Sequence, residues 1–134
     1  MEKNKFTSSN IKQVNSISIV IPVRNEAAHL PVLLNYLKTV TGKNNIAEII
    51  VSDGKSADDS VRIANLYGVK VVISDQAGRG QQMNAGAKNA TGNILYFLHA
   101  DSIPPMRFVD DILEKIHSGY DAGCYRLRFD YDHW

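Results

Sequence analysis

An apolar run from Ile94 to Leu98 stops at His99-Ala100-Asp101, and Pro104 and Pro105 follow almost at once. That pattern predicts a buried strand ending in a polar turn. The turn holds an imidazole and a carboxylate two residues apart. On extended backbone, residues i and i+2 point the same way, so both can reach one ion. Each is a competent ligand for a divalent metal. In open α/β sheets, ligands bind at the carboxyl ends of the strands. An Asp after a strand is also an ordinary turn former or helix cap, and the two prolines suit that plainer role. The metal reading of His99 and Asp101 therefore depends on the other turns.

Those turns carry charge. Pro22-Val23-Arg24-Asn25-Glu26 follows a first apolar run, Ser52-Asp53-Gly54-Lys55 a second, and Asp75 to Arg79 a third. Each of these residues alone is an ordinary solvated loop residue; the convergence carries the argument. Magnesium and manganese commonly take one or two carboxylates plus phosphate oxygens, so a metal on Asp101 suits a diphosphate. Arg79 offers phosphate a forked contact. Gly78 and Gly80 let backbone approach a ligand closely. Asp53 can accept from an N–H or hydroxyl of a base or ribose. No Gly-x-Gly-x-x-Gly follows the first strand and no Gly-Lys-Ser/Thr is present. A dinucleotide site and a P-loop are therefore disfavoured, and a nucleoside diphosphate held through a metal fits better.

The elements that position these turns follow from periodicity. Ile17 to Ile21 reads as a buried strand ended by Pro22. Ala27, Leu30, Leu33, Leu34, Leu37 and Val40 recur at helical spacing, and Gly42 is expected to close that helix. Ile46 to Val51 is a second strand. Ser56 with Asp59 resembles a capping box that opens a helix to about Tyr67, terminated by Gly68. Val69 to Ile73 is a third strand. A weaker helix runs from about Gly80 to Ala90, with Met83, Ala87 and Ala90 on one face. After the strand Ile94–Leu98, Pro105 suits the first turn of a helix carrying Phe108, Ile112, Leu113 and Ile116. Tyr125, Leu127, Phe129 and Tyr131 alternate with polar residues, as in a half-exposed last strand. Strands alternating with helices imply an α/β fold with a mostly parallel sheet and right-handed crossovers.

Composition bounds the rest. The 134 residues suit one domain, and Met1 to Asn15 reads as a flexible polar tail. A net charge of +1 gives no electrostatic basis for nucleic-acid binding. The single Cys124 fits a reducing compartment and is expected to be a small buried residue of the last strand. No apolar run approaches the ~18 residues of a membrane span. A cytoplasmic protein is expected, with attachment to a membrane surface left open. An uncovered last strand would promote association, so a homodimer or a self-associating monomer is expected.

Four segments together resemble family 2 glycosyltransferases of the GT-A fold. Ile19-Val20-Ile21-Pro22-Val23-Arg24-Asn25-Glu26 is similar to the family's opening strand and turn. Glu48 to Asp58, with Ser52-Asp53-Gly54-Lys55-Ser56, is similar to its second strand and Asp-Gly turn. Gly78-Arg79-Gly80 to Asn84-Ala85-Gly86-Ala87 is similar to its Gly-Arg/Lys-Gly…Asn-x-Gly segment. Leu98-His99-Ala100-Asp101 stands where the family carries a metal-binding Asp-x-Asp. The resemblance implies a Rossmann-like nucleotide-binding half over residues 16–134. It implies that Pro22, Arg24 and Glu26 line the nucleotide pocket, that Asp53 contacts the base, usually uracil, and that Arg79 lies near the nucleotide or diphosphate. Asp101 would hold Mn²⁺ or Mg²⁺ on the diphosphate of a nucleotide sugar. Sugar transfer to an unknown acceptor, with inversion at the anomeric carbon, is the implied reaction.

Two departures accompany it. His99 replaces the first Asp of the metal motif, which implies either weaker metal binding or a lean toward manganese, since imidazole suits softer ions than magnesium; a turn hydrogen bond is its plainer role. The acceptor-binding half and its general-base carboxylate would follow Trp134, and neither Asp130 nor Asp132 reads as that base. A non-catalytic nucleotide-sugar-binding module is therefore the alternative. A nucleotidyltransferase needs a Gly-rich turn after the first strand, which Pro22 to Glu26 does not supply.

Overall fold

A computed structural model describes residues 14–76 and 78–126. Among them, four parallel strands form one sheet in the order β3-β2-β1-β4: β1 (Ile17–Val23), β2 (Ile46–Asp53), β3 (Lys70–Ile73) and β4 (Ile94–Phe97). Helices α1 (Leu30–Leu37), α2 (Ser60–Leu66) and α3 (Arg79–Lys88) connect them, and α4 (Phe108–His117) follows β4. The expected α/β alternation is thus present.

Handedness decides which face each helix covers. The chain steps from β1 to β2 to β3 in one direction, then returns to the far side of β1 for β4. Right-handed crossovers put α1 and α2 on one face and α3 on the other. The packing agrees. Ile17, Ile19, Ile21 and Val23 of β1 share one core with Leu33 and Leu37 of α1, Ala64 of α2 and Phe108 of α4. On the opposite face α3 lies against β1 through Gly86, where an added methyl would overlap Val20 Cγ1. Helix and sheet touch there backbone to side chain.

The amino end of the sheet is locked by polar contacts. Glu48 accepts from the Ser18 hydroxyl at 2.8 Å and from the Thr91 N–H and hydroxyl, and Lys70 lies 3.8 Å away. Burial pushes the Glu48 carboxyl up, but those hydrogen bonds outweigh it and hold the group below its usual value.

Several expectations need correction. Pro22 does not end β1, which runs on to Val23. The first helix ends at Leu37, not Gly42. The β-branched run Thr39-Val40-Thr41 disfavours helix, and the Thr39 hydroxyl caps the Tyr36 carbonyl at 2.7 Å. Gly42 instead takes φ +75° to open a short 3₁₀ turn, Lys43–Asn45. The Ser56–Asp59 capping box does not form: α2 starts at Ser60 without a side-chain cap. Asp59 pairs instead with Arg62 at 3.0 Å, and Ser56 is bonded elsewhere. In α3 the buried residues are Gln82 and Gly86, so Met83, Ala87 and Ala90 flank the contact. Strand β4 is less buried than expected, with Leu95 43% and Phe97 38% exposed. Cys124 is exposed and lies outside any strand. The expected last strand falls mostly outside the described residues; Tyr125 and Arg126, which are described, are not in a strand. Residues 1–13 of the expected tail are also outside them, whereas the Asn15 carbonyl accepts from the Asn45 side chain.

Gly86→Ala is expected to destabilise the fold by about 1–3 kcal/mol, the usual cost of overpacking a tight contact. Urea unfolding measures this; an unchanged midpoint would mean that α3 is free to move off β1.

Candidate active site at the strand ends

β1 is paired on both sides only as far as Val20. The ladder with β4 ends at Val20–Phe97, and the Leu98 N–H donates to the Val20 carbonyl as its last bond. On the other side β2 stays paired through Val23–Asp53, and the Gly54 N–H donates to the Val23 carbonyl at 2.8 Å. Backbone groups alternate sides along a strand. Pro22 therefore presents its missing N–H to the β4 side, beyond the last ladder bond. This is why a proline is tolerated in a central strand. Here too the connections reverse direction, which defines the switch point where open α/β sheets bind ligands.

The turn after β1 and the turn after β2 are tied together. Asn25 takes φ +55°. Its N–H donates to Ser56 Oγ at 2.9 Å, and its side-chain oxygen accepts from the Ala57 N–H at 2.7 Å. The Glu26 N–H donates to the buried Ser60 hydroxyl, and the Ala27 N–H donates to Asp58 Oδ2. Ser60 donates in turn to Asp58, which holds that carboxyl below the usual aspartate range. Arg24 is exposed, while Glu26 is half-buried with His29 Nδ1 2.8 Å from its carboxylate.

Asp53 is only 2% exposed. Its carboxylate oxygens accept from the Ser56 hydroxyl at 2.5 Å and the Ser56 N–H at 3.0 Å. A carboxylate has about four acceptor positions, so two remain for another donor. Helix α3 begins beside this turn, with Gly78 at φ +124° and Arg79 exposed in its first turn.

His99 and Asp101 do not lie on extended backbone. The Ser102 N–H donates to the His99 carbonyl at 3.0 Å, closing a turn. Burial nevertheless alternates: Leu98 and Ala100 are buried, His99 is half-buried and Asp101 is exposed. The following loop is pinned to α1 and its exit, since Tyr36 Oη donates to the Pro104 carbonyl at 2.7 Å and the Thr41 N–H to the Met106 carbonyl. No group of three or more His, Cys, Asp and Glu able to hold a metal forms among the described residues. The turn removes the extended-backbone alignment expected to aim both at one ion; what fits a divalent ion is their chemistry, an imidazole and a carboxylate with remaining ligands left to phosphate and water.

Of the residues the sequence points to, Arg24, Glu26, Arg79, His99 and Asp101 follow strands, Asp53 closes β2 and Pro22 is the next-to-last residue of β1, all at the same end of the sheet. Sequence reasoning misses the ties through Asn25, Asp58 and Ser60, and it misses Gln82. For Gln82 a signal is present: it stands four residues before Gly86, on the one face of α3 where a glycine permits close packing.

The chain matches the family described as Glycosyl transferase family 2 over residues 18–134 and belongs to it. It is 34% identical over 117 residues to an undecaprenyl-phosphate 4-deoxy-4-formamido-L-arabinose transferase of Klebsiella pneumoniae (strain 342), covering 81% of this chain and 36% of that protein. The transferase of the same description from Proteus mirabilis (strain HI4320) is 28% identical over 134 residues, covering 94% and 41%. The chain thus spans well under half the length of these relatives. Among solved structures, Mycobacterium tuberculosis glucosyl-3-phosphoglycerate synthase in complex with Mn²⁺, UDP and glucosyl-3-phosphoglycerate superposes with a TM-score of 0.66 at 28% identity, covering 78% of this chain and 40% of that one. S. aureus TarS 1-349 in complex with UDP gives 0.69 at 24% identity over 77% and 32%, a likeness of fold. The parallel sheet with alternating helices is the Rossmann-like GT-A arrangement.

The Asp58 tie fixes a pH dependence. Its carboxyl is depressed, chiefly by the Ser60 hydroxyl, so the tie is intact above the ordinary aspartate value of 3.8 and is lost as pH falls through the lower folded value. Hydrogen-exchange protection of the Glu26 and Ala27 amides is expected to drop over that range before that of Ile19 and Ile21. Simultaneous loss at all four would show that the turns have no separate tie.

Proposed function

We propose that this chain is the nucleotide-sugar-binding part of a metal-dependent, inverting glycosyltransferase that takes its sugar from a nucleoside diphosphate, with UDP the favoured carrier. The observation that carries this reading is the gathering of Asp53, Arg79 and the His99–Asp101 turn at the strand ends around the switch point beside Pro22. Pro22, Arg24 and Glu26 would line the pocket, Asp53 would accept from the base, and Arg79 would pair with the diphosphate. The Mn²⁺- and UDP-bound relative supports the choice of carrier and ion.

Asp101 and His99 would hold Mn²⁺ or Mg²⁺, which when bound supplies Lewis-acid neutralisation of the departing diphosphate. In the reaction an acceptor hydroxyl or phosphate oxygen forms a bond to the anomeric carbon. The bond from that carbon to the diphosphate oxygen breaks, and its electron pair leaves with the diphosphate. A hydroxyl acceptor also needs a base for its proton. We assign the acceptor site and that base to the part of the longer relatives that this chain does not span. Two relatives carry undecaprenyl-phosphate in their names. A polyprenyl phosphate acceptor would bring the enzyme to a membrane surface, and among the described residues no helix is long and apolar enough to cross one.

The alternative reading is a module that binds the nucleotide sugar without transferring it. Hydrolysis of a UDP-sugar by the 134-residue chain would eliminate that alternative.

Calorimetric titration of UDP tests the main reading. Binding is expected with Mn²⁺ present and to weaken at least about tenfold, or 1.4 kcal/mol, when the ion is omitted or Asp101 is changed to Ala. Equal affinity in all three cases would refute the metal role.

A further inference from the structure

We infer that Gln82 is a positioning residue whose side-chain amide sets the place of Arg79 over the strand ends. The inference rests on the nucleotide-binding reading of those ends and adds a residue to it.

Gln82 is buried although its side chain is polar. Its Nε2 donates to the Val23 carbonyl at 2.6 Å and makes a longer contact of 3.4 Å to the Ser52 carbonyl. The Ser52 hydroxyl returns a bond to the Gln82 main-chain carbonyl. The Val23 carbonyl also accepts from the Gly54 N–H, so this one oxygen joins β1, the turn after β2 and α3. Gly54 completes the fit: a Cβ there would stand 2.7 Å from Gln82 Cδ and Nε2. Gly54 has no positive φ, so the side chain of Gln82, and not backbone conformation, explains the glycine.

The clamp lies at the level of the last residues of β1 and β2. Residues 79, 82 and 86 fall on one stripe of a helix. Gln82 and Gly86 bury that stripe against the sheet, and Arg79 continues it three residues, about 4.5 Å, toward the helix start. Arg79 therefore stands past the strand ends, beside the turn that carries Asp53. A donor at position 82 is what the two facing carbonyls require. An apolar side chain of the same length fills the space but leaves only the Ser52 hydroxyl and the Gly86 contact to set the azimuth of α3, and with it the reach of Arg79.

The test measures UDP affinity with Mn²⁺ for the wild type, Gln82→Met, Arg79→Ala and the double variant, alongside thermal melting. Gln82→Met keeps the volume and removes the amide. It is expected to melt cooperatively and to weaken UDP binding roughly ten- to hundredfold, the scale of a displaced positioning contact. In the double variant, binding is expected to be about as weak as in Arg79→Ala alone, because both changes remove one contact. If Gln82→Met does not fold, Gly54→Ala, whose methyl displaces the amide from the same place, carries the same test. Wild-type affinity in a folded Gln82→Met, or losses that multiply in the double variant, would overturn the inference while leaving the nucleotide site in place. A wild-type chain that binds none of UDP, GDP and dTDP would overturn both.

Discussion

The structure depends on one asymmetry in the pairing of β1. The strand is laddered on both sides through Val20 and on the β2 side alone through Val23. A buried parallel strand ordinarily needs every N–H matched. Pro22 removes the one N–H that would face the departed neighbour, so no donor is orphaned where the two strands part. The order β3-β2-β1-β4 follows from the same place, because the chain turns back across β1 to lay down β4. That reversal sends α3 to the opposite face and brings the start of α3 alongside the turns after β1 and β2. Fold and site are consequences of one topological choice.

Stability and chemistry are divided between the two ends of the sheet. At the amino end, Glu48 is saturated by Ser18 and Thr91 with Lys70 nearby. Gly92 passes so close to Ser18 that an added Cβ would lie 2.7 Å from its backbone nitrogen. The polar groups of this cluster are spent on one another. At the carboxyl end, Arg24, Arg79 and Asp101 are exposed, while the backbone around them is held by Asn25, Ser56, Asp58 and Ser60. Free side chains on fixed backbone are what a binding site for a charged, flexible ligand requires, since ordering the site in advance reduces the entropy lost on binding.

Much of this is legible in the chain. The β-branched runs, the helical spacing of the leucines and the charged turns specify the alternation of elements and the end of the sheet where the candidate site residues gather. Local rules fail where a tertiary contact has priority. Pro22 reads as a strand end, yet the partner strand leaves before it is reached. Ser56 reads as a helix cap, yet the carboxylate of Asp53 and the N–H of Asn25 take its hydroxyl. Gln82 lies in a polar segment that reads as weakly amphipathic. Its importance emerges only once the carbonyls of Val23 and Ser52 stand beside it. Hydrophobic period reports burial of apolar groups, and it is silent on polar groups buried against backbone carbonyls.

The central claim is that a nucleoside diphosphate occupies the crevice at the carboxyl ends of β1, β2 and β4. Amide chemical-shift mapping with UDP and a diamagnetic Mg²⁺ salt tests its place directly. Shifts are expected at Arg24 to Ala27, Gly54 to Ala57, Gly78 to Gln82 and His99 to Ser102, with the amino-end residues Gly42 to Ile46 and Thr91 to Asn93 unmoved. Shifts confined to the amino end, or none at saturating UDP, would contradict it.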